Sequence, residues 1–297
     1  MKKVILFTTV ILLLLVLAGC GSDNGGEVIS YNFKQGTGEL NYRFVEKAPP
    51  EEIYPISSFK MILELDNQMA YDISNGQVKI RGLDPKFFKV EPLEQNFNLL
   101  GRSFSSPEGE KNYLEFSGMA GPLFQNSDEY EGNYFLVFSF DSELDFQDNI
   151  CLNPNLYDVY DSGCSVETEK SYSGQGGSLA VTDLEEIINP AGVGGQMELR
   201  LTLNNVGNGL VGKVNLISAQ LGGQEIPCEI VSGGVNQNIS NLRTTTFTPE
   251  QDPVQMVCRA FLRDRNSYTS TLALHFTYDY SIVEENQLFL INPSKRR

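Results

Sequence analysis

The chain has 297 residues and is acidic, with 38 Asp and Glu against 22 Lys and Arg and a net charge of −16. So large an excess of negative charge repels phosphate backbones, and no basic patch stands out, which argues against nucleic-acid binding. The length suits two domains of ordinary size. Large core side chains must come from 18 Phe and 13 Tyr, because Trp is absent.

The first 19 residues have the pattern of an export signal. Two lysines precede an apolar stretch over residues 4–17, which is shorter than the roughly 20 residues of a membrane-spanning helix. The stretch ends in Leu-Ala-Gly-Cys at residues 17–20, which resembles the lipobox of prokaryotic lipoproteins. That resemblance implies cleavage before Cys20 and a lipid on its thiol. A simple signal peptide and an uncleaved anchor are the alternatives, and all three export the chain.

Residues 20–27 then hold the lipidated cysteine and a polar, Gly-rich stretch that cannot bury a core, which predicts a flexible tether. Removing residues 1–19 takes away two of the 22 basic side chains and no acidic one, so the mature chain carries a net charge of −18. The expected location is extracytoplasmic, with the lipid anchoring the protein to the cell membrane.

Short stretches of alternating apolar and polar residues follow over residues 28–165. Alternation with a period of two is typical of strands with one buried face. The predicted strands are residues 40–44, 59–65, 77–81, 112–116 and 134–146. Gly, Pro, Asn and Asp lie between them, and no stretch keeps a helical stripe over three turns. The pattern predicts a β-sandwich domain over residues 28–165.

Acidic side chains cluster near the end of this domain. Asp141, Glu143 and Asp145 share one face of the last predicted strand, and Asp148 follows. Clustered carboxylates can bind calcium, but a solvated strand face explains the same pattern and no closed ligand spacing such as an EF-hand is present. We therefore expect neither a metal site nor a bound cofactor.

A loop between two cysteines, Cys151 and Cys164, combines aromatic and acidic residues. Its candidate binding residues are Tyr157, Asp158, Tyr160 and Asp161. Aromatic rings give a large contact area at a small entropic cost, so residues 148–164 are a candidate site for a glycan or for calcium. Packing of the two rings within the domain is the structural alternative.

A linker over residues 166–176 leads to a second predicted domain over residues 177–293. Its predicted strands are residues 179–184, 197–203, 211–218, 226–231, 255–262 and 270–282. Asn238 begins an N-glycosylation sequon, which matters only in a host that glycosylates. Residues 294–297 form a basic tail that we expect to be solvated.

Four cysteines remain after Cys20, and an even number in an exported chain predicts disulfides. They are Cys151, Cys164, Cys228 and Cys258. Pairing 151 with 164 and 228 with 258 is simplest, and each bond would stabilise the fold by roughly 3 kcal/mol, although two other connectivities stay open. The second pair would suit strands that face each other across a sandwich. Zinc is disfavoured, because close CxxC pairs are missing and the single histidine is remote in sequence.

The two predicted domains are related by a constant offset in residue number. Residues 59–67 and 197–205 share the same apolar alternation, and residues 136–141 align with 274–279 at the same offset. Two widely separated matches at one offset indicate an internal duplication.

Residues 201–209 read LTLNNVGNG and resemble the strand–turn signature of CARDB-type immunoglobulin-like domains, which occur in archaeal and bacterial surface proteins. The last predicted strand, 270–282, is rich in Tyr and Thr and is similar to the closing strand of such modules. The likeness is weaker in the first domain, because residues 66–69 lack the glycines. It implies an all-β protein of two tandem immunoglobulin-like sandwiches, with a structural motif that carries no catalytic residues.

No catalytic centre is evident. A Ser-His-Asp triad would need His275, which alternates with Leu274 and Phe276 inside a predicted strand, so we expect no enzyme activity. The expected function is that of a non-enzymatic lipoprotein, anchored through Cys20, that acts as a spacer, envelope scaffold or adhesion module for protein partners at the cell surface. The alternative is a lipoprotein that binds a glycan or calcium through residues 148–164.

Overall fold

Every regular element in the described part of the chain is a β-strand, so the all-β prediction is confirmed. The computed structural model describes residues 32–124, 126–154, 163–191, 194–232, 245–247, 253–263 and 266–293. The first half contributes β1 (Leu40–Phe44), β2 (Ser58–Asn67), β3 (Ile73–Arg81), β4 (Phe88–Glu91), β5 (Glu94–Leu99), β6 (Lys111–Ala120) and β7 (Glu129–Leu152). The second half contributes β8 (Glu169–Ser171), β9 (Leu179–Ala191), β10 (Gly194–Asn205), β11 (Leu210–Leu221), β12 (Gln224–Glu225), β13 (Cys228–Ser232), β14 (Thr245–Phe247), β15 (Val254–Leu262) and β16 (Tyr268–Ile291).

These strands form three antiparallel sheets. The first outer sheet has the order β1-β2-β6-β4, and the second outer sheet has the order β13-β15-β10-β9-β8. The third, which we call the shared sheet, has the order β12-β11-β16-β7-β3-β5, with β14 also paired to β11. Strands from both halves therefore lie in one continuous sheet, and the described residues from Phe33 onward belong to one compact unit.

The same strand order occurs in both halves. The outer order β1-β2-β6-β4 corresponds to β9-β10-β15-β13, and β3 beside β7 corresponds to β11 beside β16. The repeated alternation falls on β2 and β10, whose inward side chains are almost completely buried. These are Phe59, Met61, Leu63 and Leu65 in the first half and Met197, Leu199, Leu201 and Leu203 in the second. The constant offset between the two sequence repeats thus relates strands with the same place in the fold.

The long strands β7 and β16 pair with each other over all 24 of their residues, and we call this pair the central ribbon. The two predicted strands, 134–146 and 270–282, are therefore longer than expected. β3 covers only residues 135–141 of β7, and β11 covers only residues 272–281 of β16. Each long strand thus extends beyond its own half, so the shared sheet continues where the sequence suggested two separate sheets.

The centre of the central ribbon is marked by two aspartates. Asp141 and Asp279 lie directly opposite each other, and they are also equivalent positions of the two sequence repeats. Neighbouring strands bulge at equivalent places beside them, between Ser74 and Gln77 in β3 and between Val211 and Val214 in β11. The two halves are therefore related by a local pseudo-twofold axis at this pair.

Both predicted disulfides are present, Cys151–Cys164 and Cys228–Cys258. The expectation that the second pair faces across a sandwich is wrong. Cys228 on β13 lies directly opposite Cys258 on β15 within the second outer sheet, with their Cα atoms 4.0 Å apart. Sequence separation alone cannot distinguish neighbours in one sheet from partners in two packed layers.

Candidate functional site

Several predicted site residues lie outside the described part of the chain. They are Cys20, Tyr157, Asp158, Tyr160, Asp161 and Asn238. Lipidation, glycosylation and ligand binding by the Cys151–Cys164 loop therefore stay predictions. The two disulfides themselves are typical of proteins that fold in an oxidising, extracytoplasmic environment.

The acidic residues of β7 share one face of the strand, as the sequence indicates, but they have separate partners. Asp141 accepts a hydrogen bond of 2.7 Å from the side chain of Asn75, whereas Asp145 is bound by Lys34 and His275. Within the described ranges, no group of three or more His, Cys, Asp or Glu side chains is placed to hold a metal ion.

Asp145 is the centre of a polar cluster on the shared sheet. His275 lies directly opposite it on β16, and the distance from His275 Nδ1 to Asp145 Oδ1 is 2.6 Å. Lys34 Nζ lies 2.6 Å from the other carboxylate oxygen. Partial burial opposes ionisation, but the hydrogen bonds and charges of Lys34 and His275 outweigh it and hold the pKa of Asp145 below its ordinary value.

A serine extends this cluster across a third strand. Ser218 on β11 lies opposite His275, so Asp, His and Ser form a row across three neighbouring strands. A catalytic triad requires a hydrogen bond between the serine and the histidine. Among the contacts of the described residues, none joins Ser218 to His275. The Asp145–His275 hydrogen bond joins β7 to β16.

The cluster also fixes the beginning of the compact unit. Residues 33–39, which we call the N-terminal segment, contact both halves of the molecule. In the first half, Lys34 binds Asp145 and the carbonyl of Glu39 accepts a bond of 3.0 Å from Gln68 N. In the second half, Gly176 N donates to the carbonyl of Gly36 at 2.8 Å. The N-terminal segment is thus attached near the centre of the central ribbon.

Glu39 makes the most extensive of these attachments. One carboxylate oxygen accepts a hydrogen bond from the backbone N–H of Asn208, and the other accepts one of 2.7 Å from the Asn208 side chain. Tyr280 donates a further bond of 3.2 Å to Glu39 and accepts one of 2.5 Å from Gly209 N. A carboxylate from the first half therefore binds the turn that follows β10 in the second half.

This turn is the one that the sequence singled out. The side chain of Asn205 closes it, accepting from Gly207 N at 3.1 Å and donating to the carbonyl of Gly209 at 2.8 Å. A Cβ on Gly209 would clash with the carbonyl oxygen of Ser281, so only glycine allows this close approach to β16. The partner of this turn, Glu39, is distant in the chain and carried no sequence signal.

Three tyrosines complete the junction between the halves. Tyr71 OH donates to the carbonyl of Asp145 at 3.2 Å and accepts from Asp145 N at 2.9 Å. Tyr278 is almost completely buried and accepts a bond of 3.3 Å from Ser178 N, while burial raises the pKa of its hydroxyl. Together with Tyr280, these side chains bind backbone groups that strands alone would leave unpaired.

Comparisons with known proteins add little. No family model matches the chain, and no curated protein matches it. Among the matching solved structures is the E. coli chaperone DraB, which is 15% identical, with coverage of 73% of this chain and 90% of that chain, at a TM-score of 0.20. So low a score carries no argument about this protein. Within the described residues, no helix combines the length and apolar character needed to cross a membrane.

Proposed function

We propose that the protein is an extracytoplasmic lipoprotein, anchored to the membrane through Cys20, whose two immunoglobulin-like, CARDB-like halves form a non-enzymatic scaffold for a protein partner. The observation that carries this proposal is the central ribbon together with the N-terminal segment fixed at its centre. A sheet that continues through both halves makes them one mechanical body. A scaffold needs such a body, whereas two domains on a short linker could rotate against each other.

The attachment of the N-terminal segment supports an anchoring role. A pull on the lipid would reach the fold through Lys34–Asp145, Gly36–Gly176 and Glu39–Asn208. These contacts lie in both halves, so the N-terminal segment must be released from both before a pull reaches the end strand β1. The central ribbon, in which β7 and β16 pair along their whole length, then connects the halves through backbone hydrogen bonds.

The ends of the sheets are the surfaces that a partner would meet. In the described strand orders, β1, β4, β8 and β13 are the end strands of the outer sheets. End strands expose backbone donors and acceptors that an extended segment of another protein can pair with. Partner binding by strand addition is therefore the form of interaction that we propose.

Expression of the full chain in a lipoprotein-processing host tests the anchor. The wild-type protein should enter the membrane fraction, and its mass should show cleavage before Cys20 and an attached lipid. Cys20→Ser should lose both properties while keeping the two disulfides. Wild-type protein that carries no lipid would contradict the proposal. A Cys20→Ser variant that stays on the membrane and has the same processed mass as the wild-type protein would also contradict it.

The non-enzymatic part of the proposal needs its own test. Hydrolase substrates of several classes should show no turnover above buffer with the purified protein. Ser218→Ala is the informative control because Ser218 ends the Asp–His–Ser row. Turnover that this substitution abolishes would show that the protein is an enzyme.

Cross-linking in native membranes, followed by identification of the linked chains, should instead identify a protein partner.

A further inference from the structure

The segment between β5 and β6 presents apolar side chains to solvent. In this segment, residues 100–110, which we call the Phe104 loop, Phe104 is 88% exposed and Leu100 is 59% exposed. Phe104 is the most exposed large apolar side chain in the described part of the chain. Single exposed apolar residues are common, so exposure alone does not mark a contact surface; the way Phe104 is held and its position in the fold distinguish it.

The Phe104 loop holds Phe104 at the tip of a closed turn. Ser103 N donates to the carbonyl of Ser106 at 2.9 Å, and Ser106 N donates back to the carbonyl of Ser103 at 3.1 Å. Phe104 and Ser105 are the two residues left at the tip. A second turn closes behind them, since Gly109 N donates to the carbonyl of Ser106 at 3.1 Å. The ring of Phe104 therefore stands at the tip of a loop that is closed by its own backbone hydrogen bonds.

The base of the Phe104 loop lies beside the place where the N-terminal segment begins. Gly101 N donates to the side chain of Asp72 at 2.8 Å, and Arg102 N donates to the carbonyl of Met69 at 2.7 Å. Between these contacts, Tyr71 has the Lys34 ammonium 5.4 Å from its ring centroid. Residues 69–72 thus contact the Phe104 loop and the N-terminal segment at the same time.

From this placement we propose that the Phe104 loop contacts the lipid surface to which Cys20 is anchored, an inference that rests on the proposed lipid anchor. Thirteen residue steps separate Cys20 from Phe33, and a fully extended chain of that length spans about 45 Å. The bilayer surface is then within about 45 Å of the first residue of the N-terminal segment. The Phe104 loop is connected to the N-terminal segment through the contacts of residues 69–72. By comparison, the central ribbon has a contour of about 80 Å between its two ends.

The kind of contact that fits this loop is insertion of an apolar ring into lipid. The Phe104 loop carries one basic and two acidic side chains, Arg102, Glu108 and Glu110, so it offers no cationic cluster for anionic headgroups, and a neutral lipid surface is the appropriate probe. Contact would then come from insertion of the ring, so we expect it to depend little on salt.

The absence of Trp allows a direct test, because Phe104→Trp introduces the only indole of the chain. The lipidated full-length variant is reconstituted in phosphatidylcholine vesicles. Its emission should shift to shorter wavelength, and bromination of the acyl chains should quench it. Phe124→Trp is the matched control. Phe124 is 67% exposed and contacts Phe87, whose ring stacks on Tyr130. Tyr130 lies at the opposite end of β7 from Asp145, so the emission of the Phe124→Trp variant should not change.

The outcomes separate this inference from the anchor. If the Phe104→Trp protein floats with the vesicles while its indole emission stays that of water, the lipid contact is contradicted and the anchor is left in place. Protein that does not float contradicts the anchor and this inference with it. Cross-linking of residue 104 to another protein in native membranes, with no emission shift in protein-free vesicles, assigns the Phe104 loop to a protein partner and also overturns the inference.

Discussion

Glu186→Gln removes an ionisable group from the core of the second half and should change how stability depends on pH. Glu186 on β9 is only 4% exposed and lies opposite Leu199 of β10. Its Oε1 atom has no hydrogen-bond partner in the described part of the chain. Burial raises the pKa of this carboxyl from 4.5 to about 7, and the nearby charge of Lys170 opposes the rise only in part.

The sign of the effect follows from the raised pKa. Between pH 4.5 and about 7 the folded protein keeps a proton on Glu186 that the unfolded chain has released. The raised pKa of Glu186 contributes to the free energy of unfolding in full below pH 4.5, and this contribution is lost as the pH rises through about 7. One pKa unit is worth about 1.4 kcal/mol, so the loss from this shift is about 3 kcal/mol at most.

Urea unfolding followed by circular dichroism over this pH window measures the effect. Wild-type protein should lose up to about 3 kcal/mol more stability than Glu186→Gln as the pH rises, because the amide does not titrate. Glu185→Gln is the matched control, since the neighbouring Glu185 is partly exposed and paired with Arg200 at 3.2 Å. Equal pH dependence in wild type and Glu186→Gln would refute the reasoning.

Three further predictions concern stability. Replacing Cys228 and Cys258 together by Ser removes a bond between residues separated by 30 positions and should cost about 3–4 kcal/mol in chemical unfolding, whereas an unchanged midpoint would contradict this. Asp279→Asn removes the charge repulsion between Asp279 and Asp141, which lies directly opposite, and should raise the free energy of unfolding by about 0.2–1 kcal/mol. A lower thermal unfolding temperature would contradict this repulsion. Glu39→Ala leaves the turn at 205–209 without its carboxylate, so the backbone amides of that turn should exchange faster with deuterium. Glu46→Ala, which alters an exposed carboxylate, should leave that exchange unchanged.

Alternation of apolar residues predicted most strands that have one buried face and one solvated face, but it missed β4 and β5, in which the alternation covers only a few residues. It failed where a strand is defined only by backbone pairing with its neighbour and its side chains are not fully buried. Ile282, Glu284 and Asn286 point to the same side of β16, yet none is fully buried, so the alternation carried no sign that the strand runs to Ile291. β9 ends later than predicted for a related reason, because a polar residue, Glu186, occupies an inward position and interrupts the apolar alternation.

The junction was predictable only in its local parts. The Asn- and Gly-rich turn after β10 is visible in the sequence because it closes on itself through Asn205. Its partner Glu39, and the pairing of His275 with Asp145, depend on contacts between positions that are 169 and 130 apart in the chain. Sequence alternation shows which face a residue takes but not the register between distant strands, so His275 could be placed on a strand but not beside its carboxylate.

Scanning calorimetry of the full-length protein tests most directly whether the two halves form one body through the central ribbon. A single transition, with equal calorimetric and van't Hoff enthalpies, is the expected result, because neither half can lose its long strand without exposing the core of the other. Two resolved transitions, together with independent folding of residues 28–165 and 177–293 when each is made alone, would contradict it.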